Sequence, residues 1–140
     1  MKPDLLKFAL DNIYLIIVAF VSGAMLLWPV VRRSAGGASV STLEATQMIN
    51  RRDALILDVR NAEEFQKGHI LNARNITLSE LDTRHSDIVR FKEKPVIVAC
   101  ESGSRSGAGA AILRKQGFAQ VFSLSGGIAA WQQAGLPVEK

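Results

Sequence analysis

One cysteine, one tyrosine and two histidines are all that the 140 residues hold of those types. A lone thiol excludes an internal disulfide, a cluster of thiolate metal ligands and a resolving cysteine within the chain. Neither a metal nor a cofactor is expected. Aromatic residues make up only 6%, and no basic stripe is interleaved with them, which argues against nucleic-acid binding. The net charge of +4 does not restore that reading. From residue 34 onward 13 Lys/Arg stand against 11 Asp/Glu, and the rest of the surplus flanks an apolar N-terminal run. No Gly-Lys-Ser/Thr follows Gly103, Gly107 and Gly109, so a nucleotide phosphate loop is not expected either. Internal repeats are lacking, and low complexity is confined to a Gly/Ala/Ser stretch at 34–39.

What is present suffices for one domain with a packed core, since 48% of residues are hydrophobic. Ile13 to Val31 is 19 residues without a charge. At ~1.5 Å per residue such a helix spans about 28 Å, the thickness of a bilayer's hydrocarbon core. Tyr14 and Trp28 lie near its ends, as interfacial aromatics do, and Arg32-Arg33 stop it. A cleaved signal peptide is the rival reading. The run is longer than a signal core, acidic residues offset the leading Lys2 and Lys7, and the arginine pair precedes the small residues of any cleavage site. Ala19 and Gly23 read as ordinary small residues of a membrane helix rather than as a pairing motif. Lys/Arg counting, with Arg51 and Arg52 beyond the span, places the C-terminal domain on the cytoplasmic side of an inner membrane. A lone reactive thiol fits that reducing compartment. The expected organisation is an anchor at 1–33, a linker at 34–40 and a domain at 41–140.

Within the domain, Ser41-Thr42-Leu43-Glu44 has capping-box spacing and predicts a helix over 42–50. Ala54 to Val59 is nearly all apolar, as in a strand buried on both faces. Asn61 is a cap for a short helix that Gly68 ends. Residues 74–76 predict a short strand, and 78–91 a mostly helical segment with a break near Thr83. Pro95 to Ala99 reads as a central strand, 107–115 as a helix, 121–124 as the last strand and 128–134 as a last helix after the turn at Gly126-Gly127. Strands alternating with helices imply an α/β fold, a parallel sheet with helices on both faces.

Cys100 falls where the central strand ends and a loop curls into a helix start. That end of a parallel sheet is where ligands bind. The polar run Glu101-Ser102-Gly103-Ser104-Arg105-Ser106 is too polar to be buried, so Cys100 reads as a reactive thiol rather than an inert core residue. Small residues let backbone N–H groups turn inward and hold negative charge, and the helix N-terminus adds to this.

Three blocks of residues resemble a known family. Leu57-Asp58-Val59-Arg60, Glu64-Phe65, Gly68-His69-Ile70 and Ala73-Arg74-Asn75-Ile76 resemble the first half of a rhodanese domain. The run from Cys100 to Ser106 is similar to its active-site loop, C-x-x-G-x-R-S. Leu124-Ser125-Gly126-Gly127, Trp131 and Gly135-Leu136-Pro137-Val138 resemble its closing signature. The match spans roughly residues 40–140. With the anchor, the chain resembles a membrane-anchored single-domain bacterial rhodanese. It departs at Leu71-Asn72, where the family often has Pro-Gly, and at Thr77, where it often has Pro.

The resemblance implies a sulfurtransferase. Cys100 would take a sulfane sulfur from thiosulfate or a persulfide donor, become a persulfide, and pass the sulfur to an external thiol or protein acceptor. Glu101, Ser102, Gly103, Ser104, Arg105 and Ser106 would line the substrate site. Arg60 either reaches that site or braces the loop. Glu101 is the misfit, since a carboxylate beside the nucleophile repels a dianion. Asp58 and His69 read as structural support, His85 as a surface residue and Trp131 as core cover. A phosphatase is disfavoured, because four residues separate Cys100 from Arg105 where related phosphatases have five, and Ala99 stands where they have histidine. A membrane-tethered protein-binding scaffold with a membrane-protein partner is the other alternative.

Overall fold

The computed structural model describes residues 4–35 and 37–140. Lys2 and linker residue Gly36 lie outside the described residues, as do the side chains of Arg32 and Arg33. The chain divides into two compact units, residues 1–35 and 36–140.

The first unit is helical. α1 runs Leu5–Asp11 and α2 runs Ile13–Ala35. Asn12 separates them, its Nδ2 donating to the Phe8 carbonyl at 2.8 Å. Within α2 the segment Ile13–Val31 is long and apolar enough to cross a membrane.

In the second unit five strands form one parallel sheet. They are β1 (Ser39–Val40), β2 (Leu55–Asp58), β4 (Arg74–Asn75), β5 (Pro95–Ala99) and β6 (Gln120–Leu124), in the order β1-β6-β5-β2-β4. Side chains alternate across the sheet and feed two cores. On one face Leu55, Leu57, Val59, Val96, Val98 and Val121 meet Leu81, Ile88, Ala110, Leu113 and Phe118. On the other, Val40, Ile56, Ile97 and Leu124 meet Ala45, Ile128 and Trp131. The strands read as unbroken apolar runs because both faces are covered.

Local signals position the helices. Ser41 Oγ accepts from the Glu44 N–H at 3.2 Å, and Glu44 Oε2 accepts from the Ser41 N–H at 2.9 Å. α3 then runs Thr42–Arg52, two residues past the expected end, and closes on Asp53 in the left-handed conformation. Asn61 Oδ1 accepts from the Glu64 N–H at 2.9 Å and starts α4 (Ala62–Lys67), which ends at Gly68.

Two features differ from the sequence reading. Ser39 and Val40, expected in the linker, form β1 at the sheet edge, where Val40 pairs with Leu124 and is buried. His69–Ile70 (β3) pairs antiparallel with Val138–Glu139 (β7), which ties the C-terminus back to the domain. Residues 78–91 are helical in short pieces with a break near Thr83, as expected: a 3-10 turn (Leu78–Glu80), α5 (Leu81–Arg84) and a second 3-10 stretch (His85–Phe91) follow one another. Thr83 Oγ1 donates to the Glu80 carbonyl at 3.0 Å. The remaining helices are α6 (Ser106–Lys115) and α7 (Gly127–Gln133).

Candidate active site

β5 delivers Cys100 to the carboxyl end of the sheet, and α6 begins six residues later. Cys100 is fully buried. The loop still reaches its sulfur. Sγ accepts from the Gly103 N–H at 3.1 Å and from the Arg105 N–H at 3.3 Å. Gly103 makes this possible at φ +97, a left-handed conformation that turns its N–H back toward the cysteine. The inward-turned amides expected from the small residues are therefore present, with the sulfur as their shared acceptor.

Two further contacts fix the loop. Ser106 Oγ donates to the Gly103 carbonyl at 3.0 Å and meets Ser123 Oγ at 2.5 Å. Ser106 was expected to touch substrate. Its hydroxyl is instead fully buried and pins the loop to β6. On the other side, α7 donates to the loop carbonyls: Ile128 N–H to Cys100 O at 2.8 Å and Ala129 N–H to Glu101 O at 3.1 Å. Gly127 sits at φ +61 against these carbonyls. A Cβ there would lie 2.3 Å from Cys100 O and 2.7 Å from Glu101 O. Gly127→Ala is expected to cost about 2–3 kcal/mol, from the strained φ and the displaced loop together. The denaturation midpoint measures it, and a loss below half that cost would show that the loop shifts freely.

Arg60 and Asp58 form a buried pair after β2. Arg60 Nε lies 3.0 Å from both Asp58 oxygens and Nη2 lies 2.8 Å from Oδ2. The Arg60 N–H also donates to Asp58 Oδ1 at 3.0 Å, so the Asp58 side chain caps the turn that follows β2. Arg60 further donates to the Gly68 carbonyl at 2.7 Å and to Glu101 Oε2 at 3.2 Å. Of the two roles expected for it, Arg60 takes the bracing one. Burial pulls its guanidinium pKa down, but the hydrogen bond and charge of Asp58, then those of Glu101, outweigh this and the net shift is upward. Glu101 is more than half exposed but tethered to Arg60. Asn75, which sequence reasoning passed over, donates to the carbonyls of Asp58 and Arg60 at 3.0 and 2.9 Å.

Arg105, expected to line the substrate site, has its guanidinium gripped from α4 by Glu64, with Nη1–Oε1 at 3.3 Å and Nη2–Oε2 at 2.9 Å. The hydrogen bond from Glu64 raises the Arg105 pKa, and the same bond lowers that of Glu64. The pair therefore stays charged through the neutral range and loosens only as pH falls below the ordinary glutamate range. Glu64 is the site residue that sequence reasoning missed. Its signals were the Glu64-Phe65 pair in the family resemblance and a place in the first turn of a helix that starts beside the carboxyl ends of the strands, and neither names Arg105 as its partner.

The supporting residues stand where expected. His69 is buried, stacks on Phe65 with centroids 3.7 Å apart, places Nδ1 2.9 Å from the Phe65 carbonyl and Nε2 3.3 Å from Glu139. Trp131 is buried and donates to the Pro137 carbonyl at 3.0 Å. Ser102 and Ser104 are exposed, and His85 is half-buried with Nδ1 2.9 Å from the Asp82 carbonyl. The assembly is a buried thiol whose sulfur accepts from two amides, with the Asp58–Arg60–Glu101 and Glu64–Arg105 ion pairs beside its loop.

Comparison with known proteins agrees with this geometry. The model of the rhodanese-like domain matches residues 41–134. The uncharacterized protein YibN of Escherichia coli K12 is 42% identical over 96 residues, 68% of this chain and 67% of YibN. The thiosulfate sulfurtransferase GlpE of Coxiella burnetii is 39% identical over 93 residues, 66% of this chain and 85% of GlpE. Among solved structures, a rhodanese-related protein from Thermoplasma volcanium superposes with a TM-score of 0.64 at 31% identity, covering 73% of this chain and 97% of that one.

Proposed function

The chain belongs to the rhodanese-like domain family, and on that premise we propose that it is a membrane-anchored sulfurtransferase. The Cys100 thiolate attacks the outer sulfur of a donor. The donor's S–S bond breaks, and the leaving group departs with the bonding pair, sulfite from thiosulfate or a thiolate from a persulfide. Cys100 is left as a persulfide. A second nucleophile, an external thiol, then removes the outer sulfur. The chain has no other cysteine, so the acceptor comes from outside and two separate half-reactions follow. The observation that carries this reading is the pair of N–H groups, Gly103 and Arg105, aimed at Sγ.

The test is intact-mass analysis of the full chain after exposure to thiosulfate and, separately, to cysteine persulfide. A gain of one sulfur atom is expected. No gain from either donor would remove the enzyme reading. Glu101→Gln is expected to lower the Michaelis constant for thiosulfate about two- to threefold, the scale of one partly exposed charge. An unchanged value would mean that Arg60 already neutralises Glu101.

The anchor belongs to the same proposal. Most large apolar side chains of α2 between Leu15 and Leu27 are exposed, as lipid-facing residues are, and the Lys/Arg bias favours a cytoplasmic domain at the inner membrane. Alkaline carbonate is expected to leave the full chain in the membrane pellet. Release into the supernatant would overturn the anchor.

A further inference from the structure

Two cations border Cys100, and each is already engaged by carboxylate. Arg60 lies between Asp58 and Glu101. Arg105 is held by both oxygens of Glu64. Three carboxylates thus face two guanidinium groups before Cys100 ionises, and its thiolate adds another negative charge. The backbone amides of Gly103 and Arg105 are shared with no carboxylate and point at the sulfur itself.

This arrangement suits some sulfur donors better than others. Thiosulfate arrives with two negative charges and leaves as a sulfite dianion. A persulfide carries one charge or none and leaves as a thiolate with one. Each extra charge on the donor meets the carboxylate surplus.

We propose that Glu64 is a specificity-determining residue: by holding Arg105, it turns the site away from dianionic donors and toward sulfane sulfur carried on a thiol. This rests on the sulfurtransferase reading above. In the favoured reaction the Cys100 thiolate attacks the outer sulfur of R–S–S–H, the S–S bond breaks, and R–S⁻ leaves with the electron pair. The proton stays on the transferred sulfur, so atoms and charge balance without an oxidant or reductant. Glu64 does not touch the reacting atoms. It is a positioning residue that acts through Arg105. Its side chain is one-third exposed, so its replacement is expected to leave the fold intact.

The experiment uses the full chain in detergent micelles, as wild type, Glu64→Gln and Glu64→Asp. Sulfur loading of Cys100 by thiosulfate and by cysteine persulfide is followed by rapid quench and intact mass. Removing one carboxylate charge beside a dianion is expected to raise the efficiency of thiosulfate loading on the order of tenfold in Glu64→Gln. Loading by cysteine persulfide should stay within about twofold, since that donor bears at most one charge. Glu64→Asp keeps the charge and should stay near wild type for both. Inorganic sulfate, an inert dianion, is titrated calorimetrically in parallel and should bind Glu64→Gln on the order of tenfold more tightly than wild type. A merely structural role would move both donors by one factor and leave sulfate unchanged, and that result overturns the proposal. If wild-type Cys100 takes sulfur from neither donor, the sulfurtransferase reading fails. The sulfate titration then decides on its own whether Glu64 withholds Arg105 from anions.

Discussion

Cys100→Ser is expected to fold as the wild type does and to take up no sulfur. The substitution exchanges one atom at a fully buried position. The amides of Gly103 and Arg105 that point at Sγ would point at an oxygen instead, so neither loses its acceptor. The cost is limited to lost packing and to the hydroxyl proton, about 1–2 kcal/mol. Chemistry is another matter. A serine hydroxyl beside no general base stays protonated at neutral pH, and the reactive species in thiol chemistry is the anion. No imidazole stands ready to activate it, since His69 is committed to Phe65 and Glu139. Loading should therefore fall by ~10³-fold or more, as it does when a nucleophile is removed from a preformed site. Intact mass after donor treatment measures it, with circular dichroism as the control for fold. Sulfur gain on the serine variant would sink the assignment, because no second thiol exists to carry it.

The parts of this site that were legible in the sequence are those set by neighbours in the chain. A strand ending at Ala99, a cysteine, a small-residue loop and a helix start are all local, and the glycine at 103 announces the turn that brings its N–H to Sγ. The capping signals at Ser41 and Asn61 are local as well. What stayed hidden depends on pairing across the fold. Glu64 meets Arg105 across 41 residues, and nothing in either neighbourhood names the other. Ser106 looked like a substrate residue because it closes the polar run, yet its partner Ser123 lies on β6. β1 is two residues at the end of a Gly/Ala/Ser stretch, and only the open edge of β6 makes a strand of them. β3 and β7 are equally short and exist through each other. Short strands carry too few side chains for a period to show.

Arg60→Met is expected to destabilise the second unit by about 3–5 kcal/mol, the usual cost of stripping one partner from a buried ion pair. Asp58 is fully buried and Arg60 nearly so. Methionine matches the aliphatic stem, so packing changes little. What goes is the set of donors on Nε, Nη1 and Nη2. Asp58 Oδ1 keeps the residue-60 backbone N–H. Asp58 Oδ2, whose side-chain donors are Nε and Nη2 of Arg60, keeps neither of these. The Gly68 carbonyl and Glu101 each lose a donor too. The denaturation midpoint gives the loss. The second half of the cycle shows its origin. Pairing Arg60→Met with Asp58→Asn removes the orphaned charge, and the double variant should recover 1–3 kcal/mol relative to the sum of the single losses. Strict additivity would mean that Arg60 acts by filling space. The variant also separates two effects at the Cys100 loop. Glu101→Gln removes a charge but leaves the Arg60 brace on Asp58 and Gly68, whereas Arg60→Met frees Glu101 with its charge intact. If the loop is held chiefly by Ser106 and α7, sulfur loading per folded molecule should survive Arg60→Met within about threefold for a donor of low charge. It should fall further for thiosulfate, because the freed Glu101 carboxylate would then repel the dianion without a guanidinium to offset it.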